Sequence, residues 1–88
     1  NVRVNGCNDH KSYDRILERA WTFRSIGYGH DAAEWRELLS TLRLVGYDYV
    51  ISIEHEDALM STDEGLAKGI ALLREVTMFD APGEMFWA

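Results

Sequence analysis

The sequence predicts an α/β fold with parallel strands in βαβα order, and three observations carry that expectation. Strand-like and helix-like stretches alternate from residue 21 to about residue 79. The first strand, helix and second strand occupy roughly 30 residues, the length of one βαβ unit. The second strand has one fully apolar face, which calls for a layer of helices against it. Two parallel strands and two helices would leave both strands with an unpaired edge, so the unit is expected to belong to something larger.

The elements follow in order. Residues 1–12 carry no clear period and read as loop. Over 13–20, Tyr13, Ile16, Leu17 and Ala20 have helical spacing, but the stretch is too short to be stable alone. Residues 21–26, WTFRSI, are aromatic and β-branched and end at Gly27, which predicts a strand. A tight turn follows in GYGHD. Asp31 then serves as an N-cap, with Glu34 placed to complete a capping box. The spacing of Trp35, Leu38, Leu39, Leu42 and Val45 predicts a helix from Ala32 to about Val45, closed by Gly46.

The run Tyr49–Glu54 predicts a second strand, and Ser61 with Glu64 a second capping box. Leu66, Ile70, Leu73 and Thr77 mark the face that this last helix buries. Residues 80–88 form a Pro- and Gly-containing tail. Its Met85, Phe86 and Trp87 are too apolar for a free end, so they cover the body of the protein or join a subunit contact, which would make it a homo-oligomer.

Composition narrows the function classes. The chain has 88 residues, 47% of them hydrophobic and 27% charged, an ordinary globular balance for at most one small domain. A free-standing domain of this size would be marginal. The chain begins at Asn1 without an initiator Met, and its opening reads like the inside of a loop, so it is expected to be part of a longer one. A net charge of −6 without a basic stripe disfavours nucleic acid as a partner. A single cysteine, Cys7, excludes an internal disulfide and any CxxC zinc site, and fits a cytoplasmic setting. No stretch approaches the ~18 apolar residues of a membrane span.

Chemistry concentrates in two clusters, Arg24 with GYGHD and Glu54-His55-Glu56-Asp57. With parallel strands both fall on one rim. Strand alternation places Tyr49, Ile51 and Ile53 on one face and Val50, Ser52 and Glu54 on the other. A carboxylate at the C-terminal end of an inward face is where barrel enzymes place catalytic or metal-binding groups, and open α/β sheets also use their strand ends. Glu54 is therefore a candidate hard-cation ligand or general base, against the reading of a surface carboxylate. Arg24 within a strand either pairs with a carboxylate or reaches substrate oxygens. His30 is either a proton shuttle or sugar contact, or simply solvated. Neighbours along an extended chain point apart, so His55, Glu56 and Asp57 are expected to solvate the loop or to orient a ligand indirectly rather than meet on one ion.

The pieces GYGHD, LRLVGYDYVISIEHED, the Ser-capped helix with EGL, and the closing EMFWA resemble the last two βα units of sugar-phosphate isomerases/epimerases of the xylose-isomerase-like TIM barrels. The likeness spans roughly residues 20–88. It implies a βαβα piece of a (β/α)8 barrel: 1–20 as the loop after the sixth strand, 21–79 as the last two units, and 80–88 as the C-terminal tail. It implies a divalent cation (Mn, Mg, Co or Zn) held by carboxylates and a His at the ends of four strands, of which Glu54 is the eighth-strand ligand. It makes Arg24 and His30 substrate contacts and His55 a residue behind the metal ligands. The other ligands and the general base would lie upstream of Asn1, so the 88-residue chain alone is expected to be inactive. The expected substrate is a sugar or sugar phosphate. A metal-dependent hydrolase or endonuclease on the same barrel, and a short non-enzymatic module that completes itself by assembly, are the alternatives.

Overall fold

The structure is a computed structural model that describes residues 2–4 and 13–85. It is mostly helical. Strand β1 (Val2–Val4) pairs antiparallel with β2 (Trp21–Phe23), with Val2 opposite Phe23 and Val4 opposite Trp21. A short 3-10 helix over Tyr13–Glu18 lies between them, interrupted by non-helical backbone at Arg15. Helix α1 (Ala32–Leu44) and helix α2 (Thr62–Val76) make up most of the rest.

The helix ends follow from local chemistry. Asp31 caps α1 by accepting from the Glu34 N–H at 2.9 Å, and the Glu34 carboxylate returns to the Asp31 N–H at 3.4 Å. At the other end Gly46 takes a left-handed φ of 82°. That lets the Tyr47 N–H reach the Leu42 carbonyl at 2.9 Å and the Gly46 N–H reach that of Arg43 at 3.1 Å, a Schellman closure. Ser61 caps α2 by accepting from the Glu64 N–H at 3.2 Å.

The two helices pack on each other around Leu39, Leu73 and Val76. Ile26, Trp35, Leu42, Ile53 and Leu72 surround this core half-buried. Arg43 fastens the end of α1 to the chain leaving α2, donating to the carbonyls of Met78, at 2.9 Å, and Asp80. Arg36 pairs with Glu75 across the helices at 2.7 Å. The core is narrower than the sequence stripes suggest. Leu38, Val45 and Ile70 are exposed, and α2 instead buries the glycines Gly65 and Gly69 beside Leu73 and Val76.

The parallel βαβα arrangement of a (β/α)8 barrel is overturned. Tyr49–Glu54 has no regular secondary structure, and β2 ends at Phe23 rather than continuing to Ile26. The one strand pairing among the described residues is antiparallel and joins β2 to a segment expected to be loop. The physical reason is pairing. A strand exists only where a neighbour satisfies its N–H and C=O groups, and among the described residues none lies beside 49–54. Of the apolar side chains in that run only Ile53 packs against the core, while the exposed Tyr49 and Ile51 line a shallow hollow with Ile70 and Leu73. Phe86 and Trp87, expected to cover the body of the protein, lie outside the described residues.

Candidate functional site

Beyond β2 the chain turns sharply at Ile26–Tyr28, where Gly27 adopts a φ of 96° and the Tyr28 N–H returns to the Ser25 carbonyl at 3.0 Å. Only a residue without a Cβ takes that φ at no steric cost. The turn leaves Arg24 and Ser25 facing the segment around residue 57. Asp57 fills that junction. Its Oδ2 accepts from Arg24 Nε at 3.0 Å and from the Ser25 N–H at 2.7 Å. Its Oδ1 accepts from the Leu59 N–H at 2.8 Å, an Asx turn that folds the chain back toward α2.

The Asp57 side chain is fully buried and that of Arg24 nearly so. Burial alone would push the Asp57 carboxyl up. The Ser25 and Leu59 N–H groups, the Arg24 guanidinium and the Ser25 hydroxyl outweigh that and bring it down to about 2. The aspartate is therefore a charge at any ordinary pH. Arg24 Cζ also lies 5.8 Å from the Tyr28 ring centroid. Lys68 Nζ approaches the same ring at 5.6 Å, and its pKa is raised by the Tyr28 hydroxyl and by Glu64.

Arg24 also lines a cavity of about 360 Å³ with Trp35, Ser52, Glu54 and Glu56, walled by Phe23, Ile26 and Ile53. Glu54 and Glu56 are exposed, and neither makes a hydrogen bond or ion pair among the described residues. The Trp35 indole N–H is buried without an acceptor among the described residues. The cavity thus offers two carboxylates, a hydroxyl and a guanidinium next to an aromatic ring, a lining suited to an oxygen-rich ligand.

The structure thus brings Arg24 and Glu54 to one cavity and places His30 and His55 elsewhere. His30 is half-exposed on the turn before α1, with Nε2 at 3.9 Å from Glu34. The His55 ring lies against Gly65 in the first turn of α2, and its Nε2 donates to the Met60 carbonyl at 3.0 Å. It supports the loop into α2 rather than Glu54. Two residues of this region were missed. Glu56 and Asp57 read as loop solvation, yet Glu56 lines the cavity and Asp57 is buried. The signal that pointed to Asp57 was Arg24 itself, since a buried guanidinium requires a carboxylate nearby.

The donor set bears on a metal ion. Among the described residues no group of three or more His, Cys, Asp or Glu could hold one. Glu54, with Glu56 and the Ser52 hydroxyl, supplies hard oxygen donors of the type Mg²⁺ or Mn²⁺ takes, but only part of a coordination shell. These residues fit a share of a cation site and not a whole one.

The chain is similar to the uncharacterized protein YfiH of Bacillus subtilis, with 32% identity over 72 residues. That stretch is 82% of this chain and 23% of YfiH, so the chain spans under a quarter of the relative it matches. No protein-family model and no solved structure matches the chain. No helix among the described residues is long and apolar enough to cross a membrane.

Proposed function

We propose that this chain contributes to a metal-dependent isomerase or epimerase acting on a sugar or sugar phosphate, supplying Glu54 as one donor to a divalent cation and Arg24 as a substrate contact. The observation that carries the reading is the cavity, where an unpaired Glu54 shares a wall with Arg24, Ser52, Glu56 and Trp35. The sequence resemblance around GYGHD and YVISIEHED supports the class of reaction. The remaining donors would come from the rest of a longer protein, in keeping with a relative of which this chain covers 23%. A bound divalent cation in such a site polarises a carbonyl and its neighbouring hydroxyl. Within this chain, Arg24 offers hydrogen-bond donors to substrate oxygens, and Phe23, Ile26 and Trp35 supply an apolar wall beside them.

The test is Glu54→Gln in the complete protein, with bound metal and turnover both measured. The expected outcome is loss of most of the bound metal and at least about a hundredfold in turnover. Unchanged metal content and turnover would overturn the assignment. The 88-residue chain alone is expected to bind Mn²⁺ no better than millimolar, because its donors do not close a shell. Calorimetric titration checks this.

The exposed apolar face around Tyr49, Ile51 and Phe79 favours a second reading, a non-enzymatic module that functions by covering this face with a partner. A metal-free, inactive complete protein would support it over the first.

A further inference from the structure

Two adjoining hollows lie on one side of the helix pair. The larger, of about 530 Å³, sits between the end of α1 and the chain leaving α2, and the smaller, of about 340 Å³, lies against α2. Tyr49, Ile51, Thr77 and Phe79 line both, so the two form one surface. Its floor is the core itself. The buried Leu39 and half-buried Leu42 face the first hollow, and the buried Leu73 and half-buried Ile53 face the second. That continuity separates this surface from a docking patch on a finished domain, which has a sealed core beneath it. An occupant here would touch Leu39 and Leu73 directly, as in an obligate interface, which resembles a domain core cut in two. Among the described residues no apolar side chain is completely removed from solvent, so the helix pair has no second core to rely on.

Charge narrows the occupant. The charged side chains of the lining, Arg43, Asp48 and Arg74, are of mixed sign, and Arg43 is already engaged with the Met78 and Asp80 carbonyls. The hollows therefore call for apolar side chains. A second copy of the chain would bring its own net charge of −6 against an equal one. The matched stretch is 23% of YfiH, so most of that protein lies outside it and could supply the cover. We infer that this face is an internal one: an apolar segment of the longer polypeptide, outside these 88 residues, covers it and places aliphatic or aromatic side chains in the two hollows. The inference does not depend on the reading of Glu54. It names the protein's own chain as the cover, rather than a second copy or a separate partner.

The test is hydroxyl-radical footprinting of the complete protein, with the oxidation of Tyr49 and Phe79 compared with that of the same residues in peptides from its digest. Both are expected to react at least about fivefold more slowly in the native protein, as covered aromatics do. A smaller protection would overturn the inference. The protection should also hold over about a hundredfold dilution, because an intramolecular cover does not follow mass action. Protection that falls on dilution would assign the cover to a second copy or a separate partner, and so overturns it too.

A substitution gives the second arm. Tyr49→Ser combined with Phe79→Ser in the complete protein should lower Tm by at least about 6 °C, the effect of removing covered aromatic side chains. A smaller shift would show that both side chains stay in water, and would refute the internal face. If the double variant does not fold, the footprint of the wild-type protein decides alone. Neither measurement reads metal content or turnover, so failure here and failure of the Glu54 reading are told apart.

Discussion

Asp57 ties the stability of the molecule to pH. Its folded pKa of about 2 lies below the ordinary aspartate value of 3.8. A depressed carboxyl contributes stability that is fully present above its unfolded pKa and is lost as pH falls through the folded one. The contribution is about 2 kcal/mol, and it should disappear between roughly pH 4 and pH 2. Asp57→Asn imitates the protonated state. It should cost about the same at pH 7 and flatten this acid arm, because Asn still accepts from a backbone N–H but no longer balances Arg24. Urea unfolding at pH 7 and pH 3 checks both statements. A variant as stable as wild type at pH 7 would show that the pair contributes nothing net, as some buried pairs do. None of this was visible at the residue itself. Asp57 sits in a run of charges, and its burial depends on a turn at Gly27 that lies 30 positions earlier.

At the scale of elements, the legible features are those closed within a few residues. The capping pair Asp31–Glu34, the Ser61 cap and the Gly46 closure all join groups within five positions, so the sequence alone places both helix starts and the end of α1. Tyr49–Glu54 has the composition of a strand, but pairing is nonlocal, and composition cannot supply the neighbour. The buried face of α2 was read only in part, Leu73 being buried and Ile70 exposed, for a related reason. Its closest approach runs over Gly65 and Gly69, residues that an apolar stripe does not register.

Gly65 gives that approach a testable consequence. A Cβ there would collide with the His55 ring and come within 2.9 Å of Ser25 Oγ. Gly65→Ala should therefore drive His55 off the Met60 carbonyl and destabilise by about 1–2 kcal/mol, after allowing for the ~1 kcal/mol that alanine gains in a helix. In a His55→Ala background the main obstacle is gone, and the same substitution should become neutral or stabilising. Chemical denaturation of the four proteins reads this out. Equal effects in both backgrounds would place the collision elsewhere.

Across the whole molecule, the balance of buried and exposed apolar surface decides behaviour in solution. Among the described residues the buried apolar side chains are Ala20, Leu39, Leu73 and Val76, and none is completely removed from solvent. Against that, Leu44 is 85% exposed, Tyr49 80%, Phe79 75% and Val50 62%. Tyr49 and Phe79 both line a hollow of about 530 Å³ between the end of α1 and the chain leaving α2, together with Tyr47, Ile51 and Met78, so these exposed side chains share one surface. Monomeric proteins rarely leave such a face uncovered. The 88-residue chain should therefore bind a hydrophobic dye in its folded state and sediment faster as concentration rises. Tyr49→Ser combined with Phe79→Ser should suppress both effects, at a cost of no more than about 1 kcal/mol and with the helical signal unchanged, because both side chains are mostly in water already. Sedimentation velocity over a hundredfold concentration range, with dye fluorescence on the same samples, makes the comparison. A wild-type chain that stays monomeric and dark would show that this face needs no cover, and would remove the support it lends to an assembly role.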